Sequence, residues 1–163
     1  MDFDTLFQRL YPQLFRYLVR LTGSGDTADD LAQESFVRLL GRTLAEDEAR
    51  RWLFTVATNL ARDRGRRISN RQRLLAGVTP EVHSPEAPDE AVLREESRAS
   101  VRTALERLSE RDRSMLLMRE EGLRYGEIAR AVGVAPGSVG TLLARAAKRF
   151  AAAYREGGDH DAS

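Results

Sequence analysis

The chain is patterned for helices along most of its length. Near the N-terminus Phe3, Leu6, Phe7, Leu10, Tyr11, Leu14, Phe15 and Leu18 recur at steps of three and four, the spacing that lines one face of an α-helix. Pro12 lacks a backbone donor and crowds the preceding turn, so a kink or split is expected near Tyr11. "TGSGD" interrupts the pattern, with Asp26 or Thr27 as the expected N-cap of a second helix. Ala28, Leu31, Ala32, Phe36, Leu39 and Leu40 form that helix's expected buried stripe, and Gly41 its stop. A third helix places Ala49, Trp52, Leu53, Val56, Ala57 and Leu60 on one face. Its other face carries Arg51, Thr55, Asn59, Arg62 and Arg66.

"AGVTPEVHSPEAPD", residues 76–89, has three prolines and few apolar positions, the composition of a flexible linker. Helical spacing resumes with Val92, Val101, Leu105 and Leu108 and continues through Met115, Leu116 and Met118. The fold expected is all-α: two small helical modules, residues 1–70 and 92–156, joined by a linker at 71–91. The tail 157–163, "GGDHDAS", is expected to be disordered.

"YGEIARAVGVAPGSVGTLLARAAKRF" has two helical phases separated by "GVAP", the layout of a helix-turn-helix. Ile128, Ala129 and Val132 face inward, Gly133 permits the turn, and Pro136 suits the first turn of the next helix. Val139, Leu143, Ala146 and Phe150 give that helix its buried stripe. A helical hairpin used only for packing has the same pattern.

Charge changes the picture more than composition does. The net charge is only +1, yet residues 26–48 hold seven acids against Arg38 and Arg42. Residues 50–73 hold eight arginines against Asp63 alone, and residues 81–96 return to six acids against Arg94. Arg145, Lys148, Arg149 and Arg155 make the last helix basic. Surface fields rather than net charge decide what a protein attracts, and two basic blocks parted by an acidic one suggest two anionic contacts on a tether. With no cysteine and only His83 and His160, cysteine-ligated zinc and thiol catalysis are excluded and no metal or other cofactor is expected. No nucleophile–base pair or phosphate loop suggests an enzyme, and no small-molecule substrate is expected. No apolar run approaches the roughly 20 residues of a membrane span, so a cytoplasmic protein is expected.

"ALERLSERDRSMLLMREEGLRYGEIARAVGVAPGSVGTLLARAAKRF" resembles region 4 of bacterial RNA polymerase sigma factors of the sigma-70 family's extracytoplasmic-function (ECF) group. "LYPQLFRYLVRLTGSGDTADDLAQESFVRLL" followed by "ARRWLFTVATNLARDRGRR" is similar to region 2 of the same family in order and phase. The resemblance covers about 130 of the 163 residues. It implies a sigma factor that binds core RNA polymerase, at its β′ clamp helices and β flap, and directs promoter-specific initiation. An anti-sigma factor is the implied regulator, held in an apolar groove between the modules. The implied clamp-binding face is Asp29, Asp30, Gln33, Glu34 and Arg38. Read alone, Asp29 and Asp30 are first-turn acids favoured by the helix dipole.

The resemblance also implies that Arg51, Thr55, Asn59, Arg62, Asp63, Arg66 and Arg67 face the −10 promoter element, with the loop "GRTLAEDEA" receiving an extruded base. Trp52 is a stacking candidate there, although its phase with Leu53 and Val56 favours core packing. The −35 element falls to Ser138, Thr141, Leu142, Arg145, Lys148 and Arg149. Relatives commonly have "GTVKSRLHRAR" where this chain has "GSVGTLLARAA", so Gly140, Leu142, Ala144 and Ala147 replace long polar side chains. Bidentate base contacts need arginine, lysine, asparagine or glutamine, and Arg145 is the well-placed one. Weak or shape-based −35 reading is therefore expected. The alternative is a sigma-like adaptor or decoy that binds a regulatory protein rather than promoter DNA.

Overall fold

A computed structural model describes residues 2–74 and 90–161, with side chains placed for 2–65 and 96–157. Most of the expected linker, residues 75–89, lies outside the described residues. Among the described residues seven α-helices follow one another: α1 (Phe3–Thr22), α2 (Gly25–Leu39), α3 (Glu46–Leu74), α4 (Glu90–Glu106), α5 (Glu110–Glu120), α6 (Tyr125–Val132) and α7 (Val139–Asp161). A short 3₁₀ turn, Pro136–Ser138, joins the last two. Two of these helices outrun their expected ends. Helix α3 reaches Leu74, and α7 runs on through Gly157 to Asp161.

Helices α1, α2 and α3 pack together around Leu10, Leu14, Leu18, Leu31, Phe36, Leu53 and Phe54. Pro12 does not split α1; its ring removes one hydrogen bond, leaving the Gln8 carbonyl without its intrahelical donor. The helix ends at Gly23, in the left-handed conformation at φ 76°, where its N–H donates to the Val19 carbonyl. The N-cap of α2 is Ser24 rather than Asp26 or Thr27. Its extended backbone turns the hydroxyl to accept from the Thr27 N–H at 3.2 Å, so the helix starts at Gly25, earlier than either expected cap would allow. Leu40 also departs from its expected place and is 56% exposed. The chain leaves helical geometry there, at ψ 133°, and the side chain no longer follows the buried stripe.

In the second half α4 lies along α7, and α5 and α6 pack beneath α7. Met115, Met118, Leu123, Ile128, Val139 and Ala146 are fully buried among them. Gly133, at φ 77°, makes the turn of the helix-turn-helix, and its N–H donates to the Ala129 carbonyl. Glu127 accepts from the Arg124 N–H at 3.0 Å and steadies the start of α6.

The two halves meet along a seam where α5 and α6 pack on α1 and α3. Tyr17 of α1 is fully buried in it, 2.7 Å from the Thr58 hydroxyl of α3. Thr58 already donates to the Phe54 carbonyl, so the phenol donates to Thr58, with buried Ser114 of α5 nearby. At the end of α5, Glu121 has a side chain only 6% exposed. Arg16 approaches its carboxylate at 3.2 Å and Arg20 at 3.9 Å, and Arg50 donates to its backbone carbonyl at 2.9 Å.

Two measurements test this packing. Burial pushes the Tyr17 phenol up to about 12, against smaller opposing effects of Thr58, Ser114 and Arg62. In the unfolded chain a tyrosine ionises near 10, so the unfolded state loses its proton first and stability falls as pH rises from about 10 to about 12. In urea unfolding across that range Tyr17 should account for a loss approaching roughly 2 kcal/mol, seen as the difference between the unmodified chain and Tyr17→Phe. In α7, a methyl group at Gly140 would lie 3.5 Å from the Tyr125 ring, an ordinary van der Waals contact. Gly140→Ala should therefore gain about 1 kcal/mol of helix propensity and raise Tm by about 3 °C by calorimetry.

Candidate polymerase and promoter interfaces

The acidic face of α2 stands in the open. Asp30, Gln33, Glu34 and Arg38 are exposed, and Arg38 pairs with Glu34 one turn back at 3.1 Å. Asp29 is half-buried: it accepts from the Tyr11 hydroxyl and from Gln33 at 3.0 Å. Burial and this carboxylate together push the Tyr11 phenol up to about 12. Asp29 thus has a local structural duty, whereas its four companions project outward.

Beside that face runs a polar groove of about 610 Å³ between α2 and α3, lined by Asp30, Gln33, Glu34, Arg38, Asp63 and Arg64 among others. Arg64 lies 3.8 Å from Asp30 across it. The groove therefore joins residues expected to meet the polymerase to the helix expected to meet DNA. On the other flank of α2 is a feature the sequence reading missed. Val37, 62% exposed, and Leu40 line a shallow apolar groove of about 340 Å³ with Phe3, Phe7, Tyr11, Gln33 and Phe36. Val37 is out of phase with the buried stripe of α2, and that is the signal that would have found it.

On α3, Asn59 and Asp63 are exposed, and Arg51 and Thr55 are half-buried, with the Thr55 hydroxyl donating to the Arg51 carbonyl at 2.8 Å. Arg62 is occupied: its Nε lies 3.5 Å from Glu110 at the start of α5. Arg66 and Arg67 belong to the same helix, but their side chains lie outside the described residues. Trp52 is half-buried against the core, and the Arg42 guanidinium covers its ring at 4.9 Å. The apolar groove expected between the modules is filled by the seam.

The second helix of the helix-turn-helix presents Ser138, Thr141, Ala144, Arg145 and Lys148 to solvent. Leu142 instead rests half-buried against the core, so much of its surface is withdrawn from any partner. Arg149 donates at 2.7 Å to Asp112, whose side chain is 2% exposed. A buried carboxylate without a cation is costly, so this pair ties α7 to α5, while the Arg149 side chain stays 57% exposed. Next to Gly140 the Tyr125 ring is 46% exposed, with the Arg119 guanidinium 5.2 Å from its centre. Tyr125 and Arg119 were not among the expected DNA-facing residues, and only the missing side chain at Gly140 hinted that a neighbour would be uncovered.

Comparison with known proteins agrees with this layout. Residues 6–71 match the model of sigma-70 region 2, and residues 98–150 that of sigma-70 region 4. The chain is 35% identical over 153 residues to the ECF RNA polymerase sigma factor SigL of Mycobacterium tuberculosis, covering 85% of this chain and 82% of that protein. It is 32% identical over 155 residues to the ECF sigma factor BldN of Streptomyces coelicolor, covering 89% of this chain but 59% of that longer protein. The fold is shared with the sigma factor RpoE of Bartonella quintana, solved in complex with the anti-sigma factor NepR: TM-score 0.69, 22% identity, 94% of this chain and 97% of that one. With two sigma regions in the family's order and such identity along most of its length, the chain belongs to the sigma-70 family of RNA polymerase sigma factors, in its extracytoplasmic-function group.

Proposed function

We propose that this chain binds core RNA polymerase and directs it to promoters, working in the cytoplasm, where transcription takes place. The polymerase performs the nucleotidyl transfer; this chain is a specificity subunit and not an enzyme. The observation that carries the reading is the groove between α2 and α3. One wall is the acidic face Asp30, Gln33, Glu34 and Arg38, suited to a helical hairpin such as the polymerase clamp. The other wall is the helix whose Arg51, Thr55, Asn59, Arg62, Asp63, Arg66 and Arg67 supply phosphate contacts and base-edge hydrogen bonds to the −10 element. A partner docked on the first wall is thereby set beside DNA held on the second.

At the −35 element Arg145 is the base-reading candidate, with Ser138, Thr141 and Lys148 as phosphate and sugar contacts. Leu142 and Arg149 contribute less, one through partial burial and the other through its pair with Asp112. Likeness to a sigma factor crystallised with an anti-sigma factor supports control by a protein of that kind. The polar poverty of α7 favours one second reading, a sigma-like adaptor that binds a regulator in place of promoter DNA.

Run-off transcription with bacterial core polymerase and fragmented genomic DNA separates the two. The expected result is discrete start sites that share a −10-like element. At sites that also share an upstream element, Arg145→Ala should lower transcript yield by about 5- to 100-fold, the worth of one good base contact. Core binding without specific transcripts would establish the adaptor instead.

A further inference from the structure

Two donors converge on the carboxylate of Asp29, near the start of α2. The Tyr11 hydroxyl, from α1, reaches one oxygen, and the Gln33 amide nitrogen, one turn further along α2, reaches the other at 3.0 Å. An ionised carboxylate only accepts hydrogen bonds, so this contact fixes the direction of both groups. The phenol has to donate. Burial, together with Asp29, pushes it up to about 12, so it keeps that proton across the ordinary pH range. The Gln33 amide has to turn its nitrogen toward Asp29. Its carbonyl oxygen is thereby turned away, and it accepts no hydrogen bond among the described residues.

The place of Gln33 gives that orientation its interest. The side chain is exposed, and Gln33 and Val37 line both the polar groove shared with α3 and the apolar groove floored by Phe3, Phe7 and Phe36. A partner lying along α2 therefore passes over this amide. A free glutamine side chain is long and turns its amide either way, so ordering it on binding is unfavourable. Here the pairing with Asp29 one turn back restrains it. Tyr11 restrains Asp29 in turn, from a ring that is itself held. Its centroid lies 4.9 Å from that of Phe7 and 5.9 Å from that of Phe15, both in stacked geometry.

We propose that Tyr11 is a positioning residue for docking of the polymerase on α2: through Asp29 it holds the Gln33 amide with its carbonyl outward, as a preset acceptor. The inference rests on the functional reading above for the identity of the partner. That partner then has to bring a donor to this point, the N–H of an arginine, a lysine or an amide. A carboxylate or carbonyl in its place is rejected, because two acceptors would face each other. Asp29 acts inward, whereas the exposed Asp30 and Glu34 beside it supply the charge that a basic partner meets.

Titration calorimetry of the full chain with bacterial core polymerase, and proton–nitrogen correlation spectra of the free chain, test this together. Tyr11→Phe removes one hydroxyl and leaves the stacked ring. It should weaken core binding about fivefold, and Gln33→Ala should weaken it about tenfold, the effect of one hydrogen bond to a charged donor. In the Gln33→Ala background Tyr11→Phe should have no further effect, because the two act through one contact. Asp29→Asn, which replaces one of the two acceptors with a donor, should behave like Tyr11→Phe and serves if that variant impairs folding. In the spectra, the side-chain amide pair missing from Gln33→Ala belongs to Gln33. One of its protons should stand apart from those of the other glutamines, and Tyr11→Phe and Asp29→Asn should each move it toward them. Tyr154→Phe, on an exposed tyrosine of α7, should change neither readout. A hydroxyl that only stabilises the fold would weaken core binding equally with and without Gln33. That additive result would overturn the proposal, as would unchanged affinity or an unmoved Gln33 pair in Tyr11→Phe. If the unmodified chain fails to bind core while the Gln33 pair responds as expected, the function falls and the positioning of Gln33 stands.

Discussion

A carboxylate enclosed between helices has to be paired, and Glu121 is that carboxylate here. Its position at the end of α5 gathers Arg16 and Arg20 from α1, and its carbonyl gathers Arg50 from α3. Gly122 follows at φ 86°, so the chain turns sharply beneath Arg50 and launches α6 toward the seam. This pairing ties the end of α5, just before the helix-turn-helix, to the first half of the molecule. Apolar burial runs through both halves as one cluster, and the buried acid adds a paired charge where they meet.

The same molecule has to present faces to two kinds of partner. Helix α2 keeps its acids outward and its apolar stripe inward, and the groove sets Asp30, Glu34 and Arg38 across from Asp63 and Arg64 of α3. Arginine serves both internal and external needs. Arg38 and Arg64 pair with acids at the groove, Arg42 covers Trp52, and Arg145 stands clear in solvent. A guanidinium offers five donors in a plane, which lets one residue hold a protein acid in one state and a phosphate in another.

The recognition helix shows how packing edits a surface. From its order in the chain Arg149 belongs with Arg145 and Lys148, yet the buried Asp112 takes its guanidinium. Leu142 is withdrawn in part by the core, and Gly140 leaves the Tyr125 ring uncovered beside Arg119. What faces outward is a short polar set, Ser138, Thr141, Arg145, Lys148 and the Asp112-paired Arg149, fitted more to following a backbone than to spelling a long sequence.

The sequence by itself determined the helices, their inward stripes, the helix-turn-helix and the acidic and basic faces, because periodicity and charge order are local properties that a chain writes directly. Leu6, Leu10, Leu14 and Leu18 are buried where their spacing put them, and Gly133 makes its turn. Ser24 rather than Asp26 caps α2, a choice local pattern does not make, because several residues of the same capping chemistry stand side by side. Tertiary structure alone decided that Leu40 faces solvent, that Asp112 claims Arg149, that Glu110 reaches Arg62, and that Glu121 closes the seam. Arg62 and Glu110 are 48 residues apart, and Arg16 and Glu121 are 105 apart. Pairings at such separation depend on how whole helices pack, and no local pattern of residues encodes them.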